Sequence, residues 1–108
     1  MKHFLLTYTL AADYLARRPD FRSQHLALAH AAAERGDLIL GGAVTGLHGE
    51  APDEAQLFFL GDDAQAAEAF ARADPYVTNG LVTAWGVREW VTVVGERAAN
   101  PNASSRES

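Results

Sequence analysis

Four histidines, no cysteine and a few well-placed carboxylates are what this chain offers to chemistry. At about 100° per residue on an ideal helix, Phe21, His25, Leu28 and Ala32 fall within a narrow arc. His25 therefore lies inside the apolar stripe of its helix. His30 lies nearly opposite, with Ser23 and Glu34, on the solvated side. A buried imidazole needs a hydrogen-bond partner or it costs stability. Two readings follow. His25 is a core residue whose ring is satisfied by neighbours, or its partner is a carboxylate and the pair can act as a general acid/base.

The second feature is Asp74-Pro75-Tyr76, followed by Asn79-Gly80-Leu81. Structurally, Asp-Pro is a helix stop and Asn-Gly a turn before the next strand. Functionally, the stop places Asp74 and Tyr76 at the mouth of a cavity between helix and sheet. Asp74 could orient an imidazole there, and Tyr76 could donate to a substrate oxygen. Arg88 and Glu89 alternate along the last strand and read as a solvated pair at its edge. His3 opens a strand and His48 sits in a loop, without the spacing of a metal site, so no metal is expected. Gly41-Gly42 is followed by neither Lys nor a helix, so it is not a nucleotide loop. Its readings are a bulge or a close backbone approach. No cofactor is expected.

The elements that must position these residues follow from pattern. Residues 3–9 form a first strand with Phe4, Leu6 and Tyr8 on one face and Leu5 on the other, between His3 and Thr7. Pro19-Asp20 predicts a helix start, giving a first helix over about 21–35 that ends at Gly36. Residues 38–44 and 55–60 read as strands, joined by a loop with turn residues. Asp62 and Asp63 cap a second helix with Ala66, Ala67, Phe70 and Ala71 inward and Glu68 and Arg72 paired outside. Residues 81–94 read as one long strand with a bulge expected at Gly86. Residues 95–108 are polar and expected to be a disordered tail, leaving one domain over 1–95.

Composition narrows the function classes. The chain has 108 residues, 48% of them hydrophobic, enough for one domain with an ordinary core. Without cysteine there are no disulfides, thiol catalysis or thiolate metal sites. The net charge is −5 and the longest basic run is Arg17-Arg18, so no stripe for nucleic acid is present. No stretch approaches the ~20 apolar residues of a membrane helix. The N-terminal Met1-Lys2-His3-Phe4 turns polar at once, unlike a signal peptide, and a cytoplasmic location is expected.

The order βαββαβ is that of a ferredoxin-like α+β subunit, an antiparallel sheet with two helices on one face. The other face would expose Leu5 or Phe4, Leu57 or Phe58, and Trp85 or Trp90. An apolar face of that size needs cover, and a second copy related by a two-fold axis is the expected partner.

Several segments together resemble the YciI-like (YCII-related) family. They are Arg22-Ser23-Gln24-His25-Leu26, Gly36 through Gly42, Ala66-Ala67-Glu68-Ala69-Phe70, Asp74-Pro75-Tyr76-Val77, Gly80-Leu81, and Trp85 through Trp90. The resemblance spans about residues 3–94. It implies a dimeric α+β barrel and a His–Asp pair in a cavity at His25 and Asp74. Some relatives are linked to breakdown of chlorinated hydroxyquinols. Relatives often carry Ala-Gly-Pro where this chain has Gly41-Gly42-Ala43, and Gly-Ser where it has Glu54-Ala55. The missing serine removes a hydroxyl that could contact substrate.

The expectation is a small cofactor-free enzyme doing proton-transfer chemistry, of lyase or isomerase type, on a compact anionic, aromatic, phenolic or lactone-like molecule. His25 would be the acid/base and Asp74 would fix its tautomer, with Tyr76 and Arg22 as substrate contacts. The alternative is a dimeric module that binds a small ligand or serves as an accessory without transforming anything.

Overall fold

The computed structural model describes residues 1–101. Its elements are β1 (Lys2–Leu10), α1 (Tyr14–Glu34), β2 (Leu38–Val44), β3 (Glu54–Gly61), α2 (Gln65–Ala73), α3 (Pro75–Thr78) and β4 (Val82–Glu89). The sheet runs β2-β3-β1-β4, and every neighbouring pair is antiparallel. This is the ferredoxin-like α+β arrangement the element order predicts.

Register explains the two faces. Tyr8 stands between Ala55 and Trp85, and Leu6 between Leu57 and Val87. Because side chains alternate along a strand, Phe4, Leu6, Tyr8 and Leu10 all point toward the helices, and all are buried. Leu57 and Phe59 of β3 join them, with Ala32 of α1 and Ala67, Phe70 and Ala71 of α2. His3, Leu5 and Phe58 lie on the opposite face. That face carries exposed apolar groups at its rim, Leu40 at 69% and Trp90 at 47% accessibility.

Four expectations from pattern need correction. α1 begins at Tyr14 rather than near Phe21, and Pro19 sits inside it. A mid-helix proline removes the bond to the carbonyl four residues back and costs roughly 3 kcal/mol. Tertiary contacts outweigh that cost here. Tyr14 is buried, with its ring edge against Tyr76 at 5.7 Å, and the Arg17 guanidinium donates to Asn79 O at 2.7 Å. β4 ends at Glu89 instead of Val94, although the Trp90 N–H still donates to His3 O. The irregularity in β4 pairing falls at Thr9/Leu10, not at Gly86, which pairs in register with Thr7. Of the two aspartates expected to cap α2, Asp63 accepts the Gln65 N–H at 2.9 Å, and Asp62 forms no such bond.

Other turns follow the sequence. Gly36 closes α1 with φ +83°, the left-handed conformation that only glycine adopts without strain. After β4 the chain doubles back. Asn100 N–H donates to Thr92 O, Ala99 N–H donates to Thr92 Oγ1, and Thr92 Oγ1 meets His3 Nδ1 at 2.8 Å. The rest of the expected disordered tail, 102–108, lies outside the described residues. Among the described residues, no helix is long and apolar enough to cross a membrane.

Candidate functional site

Asp74 is the residue around which the site is built. Pro75 forces it out of the α region, so its backbone is extended (φ −68°, ψ 122°) between α2 and α3. Its own N–H closes α2 by donating to Phe70 O, while its carbonyl accepts from Val77 and Thr78. Pro75 occupies the first turn of α3, where a missing N–H costs nothing. The helix stop and the functional feature are thus one structure. The stop fixes the position from which the carboxylate works.

That carboxylate is completely buried and has three neighbours. Tyr8 Oη donates to Oδ2 at 2.7 Å, and the Tyr76 N–H donates to Oδ1 at 3.0 Å. His25 Nδ1 lies 2.9 Å from Oδ1 and 3.0 Å from Oδ2. A carboxylate can only accept, so the network assigns the proton to Nδ1 of His25 and leaves Nε2 with the free lone pair. Burial, followed by the neighbouring Asp74 charge, pushes the Tyr8 phenol far above its ordinary range and keeps it a donor.

The imidazole is held in place by packing as well. Its ring stacks on Tyr76 with centroids 3.9 Å apart and planes 9° from parallel, and the Phe70 edge lies at 6.3 Å. The His25 side chain is 16% accessible. It therefore has one face on Tyr76, one nitrogen on Asp74, and its remaining edge free.

That edge lines a cleft of about 340 Å³ between α1 and the β2–β3 side of the sheet. The cleft exists because both walls are made of small residues: Ala29 and Ala33 on the helix, Gly41, Ala43 and Ala55 on the strands. Large side chains there would have filled the space between α1 and the sheet. Tyr8, Leu57 and Tyr76 add apolar and phenolic surface, while Arg22 and the exposed His30 stand at the rim. The volume is at the lower end of roughly 300–1,000 Å³ seen for small-ligand sites.

The residues singled out by sequence meet this geometry unevenly. His25 and Asp74 are brought together, but Asp74 lies beneath the imidazole and not at the cavity mouth as expected. Only His25 of the pair is reachable. Tyr76 supplies a stacking face and a backbone donor to the pair; burial foremost, with Tyr14 nearby, pushes its phenol up to about 12. Arg22 lines the cleft and has no carboxylate within 4 Å among the described residues. Arg88 faces away, opposite Leu5, and both it and Glu89 are exposed. Tyr8 was missed. Its place on the same face as Phe4 and Leu6 was legible, and a phenol on a buried face needs a polar partner, which is the signal that could have found it. No three His, Asp or Glu side chains converge on a metal-sized position among the described residues.

A ferredoxin-like α+β subunit with an imidazole–carboxylate pair opening on a helix–sheet cleft defines the class of this protein. Within that class the chain belongs to the YCII-related domain family, whose model matches residues 1–91. No curated protein matches the sequence. Among solved structures it is similar to a 5-chloro-2-hydroxyhydroquinone dehydrochlorinase from Burkholderia phenoliruptrix, in complex with 2,5-dihydroxybenzoquinone. The TM-score is 0.69 at 21% identity, over 83% of this chain and 94% of that one. A protein from Agrobacterium tumefaciens is similar at TM-score 0.51 and 16% identity, over 92% of this chain and 98% of that one. At these identities the likeness shows the fold.

Proposed function

We propose that the protein is a small-molecule enzyme in which His25 Nε2 moves a proton to or from a compact ring-shaped substrate held in the α1–β2 cleft. The observation that carries this reading is the buried Asp74 carboxylate, which accepts from Tyr8, Tyr76 and His25 and leaves the other imidazole nitrogen free beside a cavity. A structural histidine would have no need of an open cleft. In acid/base catalysis the carboxylate fixes the tautomer and stabilises the imidazolium that forms when Nε2 takes a proton. Positioned proton transfer of this kind contributes on the order of 10²–10⁴ in rate. The similarly folded dehydrochlorinase holds an oxygenated six-membered ring, a ligand that would suit this cleft in size and in its flat, partly apolar surface. Proton removal or delivery at such a ring needs no cofactor. Tyr76 and Arg22 are the substrate contacts in this reading.

The same reading has the protein working as a homodimer through the open face of the sheet, where Leu40, Val44 and Trp90 are exposed. Size-exclusion chromatography with light scattering tests that part. The chemistry is tested by incubating the wild type and His25→Gln with a panel of hydroxylated and chlorinated benzenes, following ultraviolet spectra and chloride release. The expected result is turnover of at least one compound by the wild type and a loss of two or more orders of magnitude in the variant. Equal turnover by His25→Gln refutes the mechanism. Ligand binding without turnover across the panel would favour the non-catalytic binding module.

A further inference from the structure

The N-terminal half of α1 carries three arginines, Arg17, Arg18 and Arg22, in a chain whose acidic residues outnumber its basic ones by 14 to 9. Arg17 has a structural role, since its guanidinium donates to Asn79 O and lies over the Phe21 ring. Neither of the other two makes such a hydrogen bond among the described residues. Arg18 lies over the Tyr14 ring at 5.9 Å, and its Nε is buried without a hydrogen-bond partner. Arg22 lines the cleft. Among the described residues, neither has a carboxylate within 4 Å.

Spacing makes them a pair. Residues four apart stand one above the other on a helix, and two like charges so placed repel. A folded acidic protein with carboxylates to spare has left Arg22 unpaired in the lining of the cleft and Arg18 unpaired one turn before it on the same helix. Arg18 lies over Tyr14, whose ring meets the Tyr76 ring edge-on at 5.7 Å, and Arg22 shares the cleft lining with Tyr76. The Tyr76 ring is the one on which His25 is stacked.

We propose that Arg18 and Arg22, with the Tyr76 hydroxyl, form an anion subsite that takes the carboxylate of a monocyclic acid whose ring lies in the α1–β2 cleft beside His25. The planar guanidinium fork matches a carboxylate, and the bound anion relieves the repulsion between the arginines and gives the orphaned Arg18 Nε an acceptor. A carboxylate anchored there fixes the ring's orientation, so that one ring position faces His25. The substrate class becomes ring acids instead of neutral phenols. This inference rests on the proposed use of the cleft as a substrate site.

The test is titration of the full-length protein with 4-hydroxybenzoate and with 4-hydroxybenzyl alcohol, two probes of similar size that differ in charge, followed by amide NMR shifts and calorimetry. The benzoate should bind at least about tenfold more tightly, and its affinity should fall as salt is raised. Arg22→Gln and Arg18→Gln should each weaken the benzoate by roughly ten- to hundredfold, the range for a lost charged hydrogen bond, and leave the alcohol unchanged. Thermal melts of both variants check that the fold is intact, and Arg22→Lys should restore part of the affinity through charge alone. Equal affinity for the two probes, equal weakening of both by the substitutions, or no benzoate binding at all would each overturn the subsite. Affinity is read without turnover, so such a failure leaves the His25 chemistry standing. Undiminished turnover in His25→Gln would instead remove that chemistry and leave the subsite to the titration.

Discussion

Replacing Asp74 with Asn leaves the number of heavy atoms unchanged and alters almost no volume, yet it should change the site completely. The carboxylate accepts three hydrogen bonds at 2.7–3.0 Å and is fully buried. The Tyr76 N–H can only donate, so the Asn carbonyl must take the Oδ1 position. The Asn amide then occupies the Oδ2 position, donating to Tyr8 Oη and facing His25 Nδ1 at 3.0 Å, while the carbonyl stands 2.9 Å from the same nitrogen. With a donor and an acceptor both in reach, Asn no longer holds the proton on Nδ1 alone, and each ring that takes it on Nε2 loses the lone pair that faces the cleft. Hydrogen bonds to a charged group are worth about 0.7–1 kcal/mol more than neutral ones at the low end of their range, so three of them give a loss of about 2–3 kcal/mol. For a domain of this size that is roughly 8–24 °C in Tm. Nitrogen-15 NMR of the imidazole side chains distinguishes the two tautomers directly, and urea denaturation gives the stability. The variant should show the Nε2–H tautomer beside the Nδ1–H form, with turnover lowered. A variant that shows the Nδ1–H tautomer alone and loses less than about 0.5 kcal/mol would refute the reasoning that Asp74 holds His25 as an ionised acceptor.

Three further perturbations have definite expected outcomes. Tyr8→Phe removes one donor from a buried carboxylate oxygen and should cost about 1.5–3 kcal/mol in urea denaturation, with His25 keeping its tautomer through Asp74. Gly41→Ala places a methyl 3.5 Å from Leu57 Cγ, an ordinary contact, at a strand position without positive φ. It should leave stability unchanged or raise it by about 0.5–1 kcal/mol while narrowing the cleft, so ligand affinity falls as stability holds, measured by calorimetry and thermal melts. The His3 imidazole is held below its ordinary value of 6.5, first by burial and then by the N-terminal ammonium and Arg97. The unfolded chain therefore takes up a proton that the folded one resists. The stability linked to His3 is fully present above about pH 6.5 and is lost as pH falls from there through the lowered folded value. Urea denaturation of the wild type and His3→Gln at pH 7 and pH 5 should show the wild type losing more on acidification, and an equal loss would refute the assignment.

Patterns of local range were legible in the sequence. Residues 3–9 and 55–60 were legible as strands, and parity told which residues of the first share a face, because side-chain direction in a strand alternates; which face turns toward the helices was left open. The helical arc through Phe21, His25, Leu28 and Ala32 put His25 on the inner side of α1, and Gly36 ended that helix. Asp74-Pro75 marked a break that backbone sterics alone require. The start of α1 was misread for the same reason that these succeeded. Pro19 is a local signal against helix, and what overrides it, Tyr14 against Tyr76 and Arg17 on Asn79, comes from residues about sixty positions away. The reach of β4 likewise depends on how far β1 extends beside it.

The site divides along the same line. Residue types and spacing supplied the candidates His25 and Asp74, with the family resemblance favouring the pair. Contact between residues 49 apart in the chain is set by the sheet register and by how α1 lies across it. Tertiary structure alone buried Asp74 beneath the imidazole, recruited Tyr8 from β1 as its third donor, and opened the cleft where small residues on α1, β2 and β3 face one another. Local sequence fixes what each side chain can do and which face it occupies. Which faces meet, and what space is left between them, is decided by the packing of segments far apart in the chain.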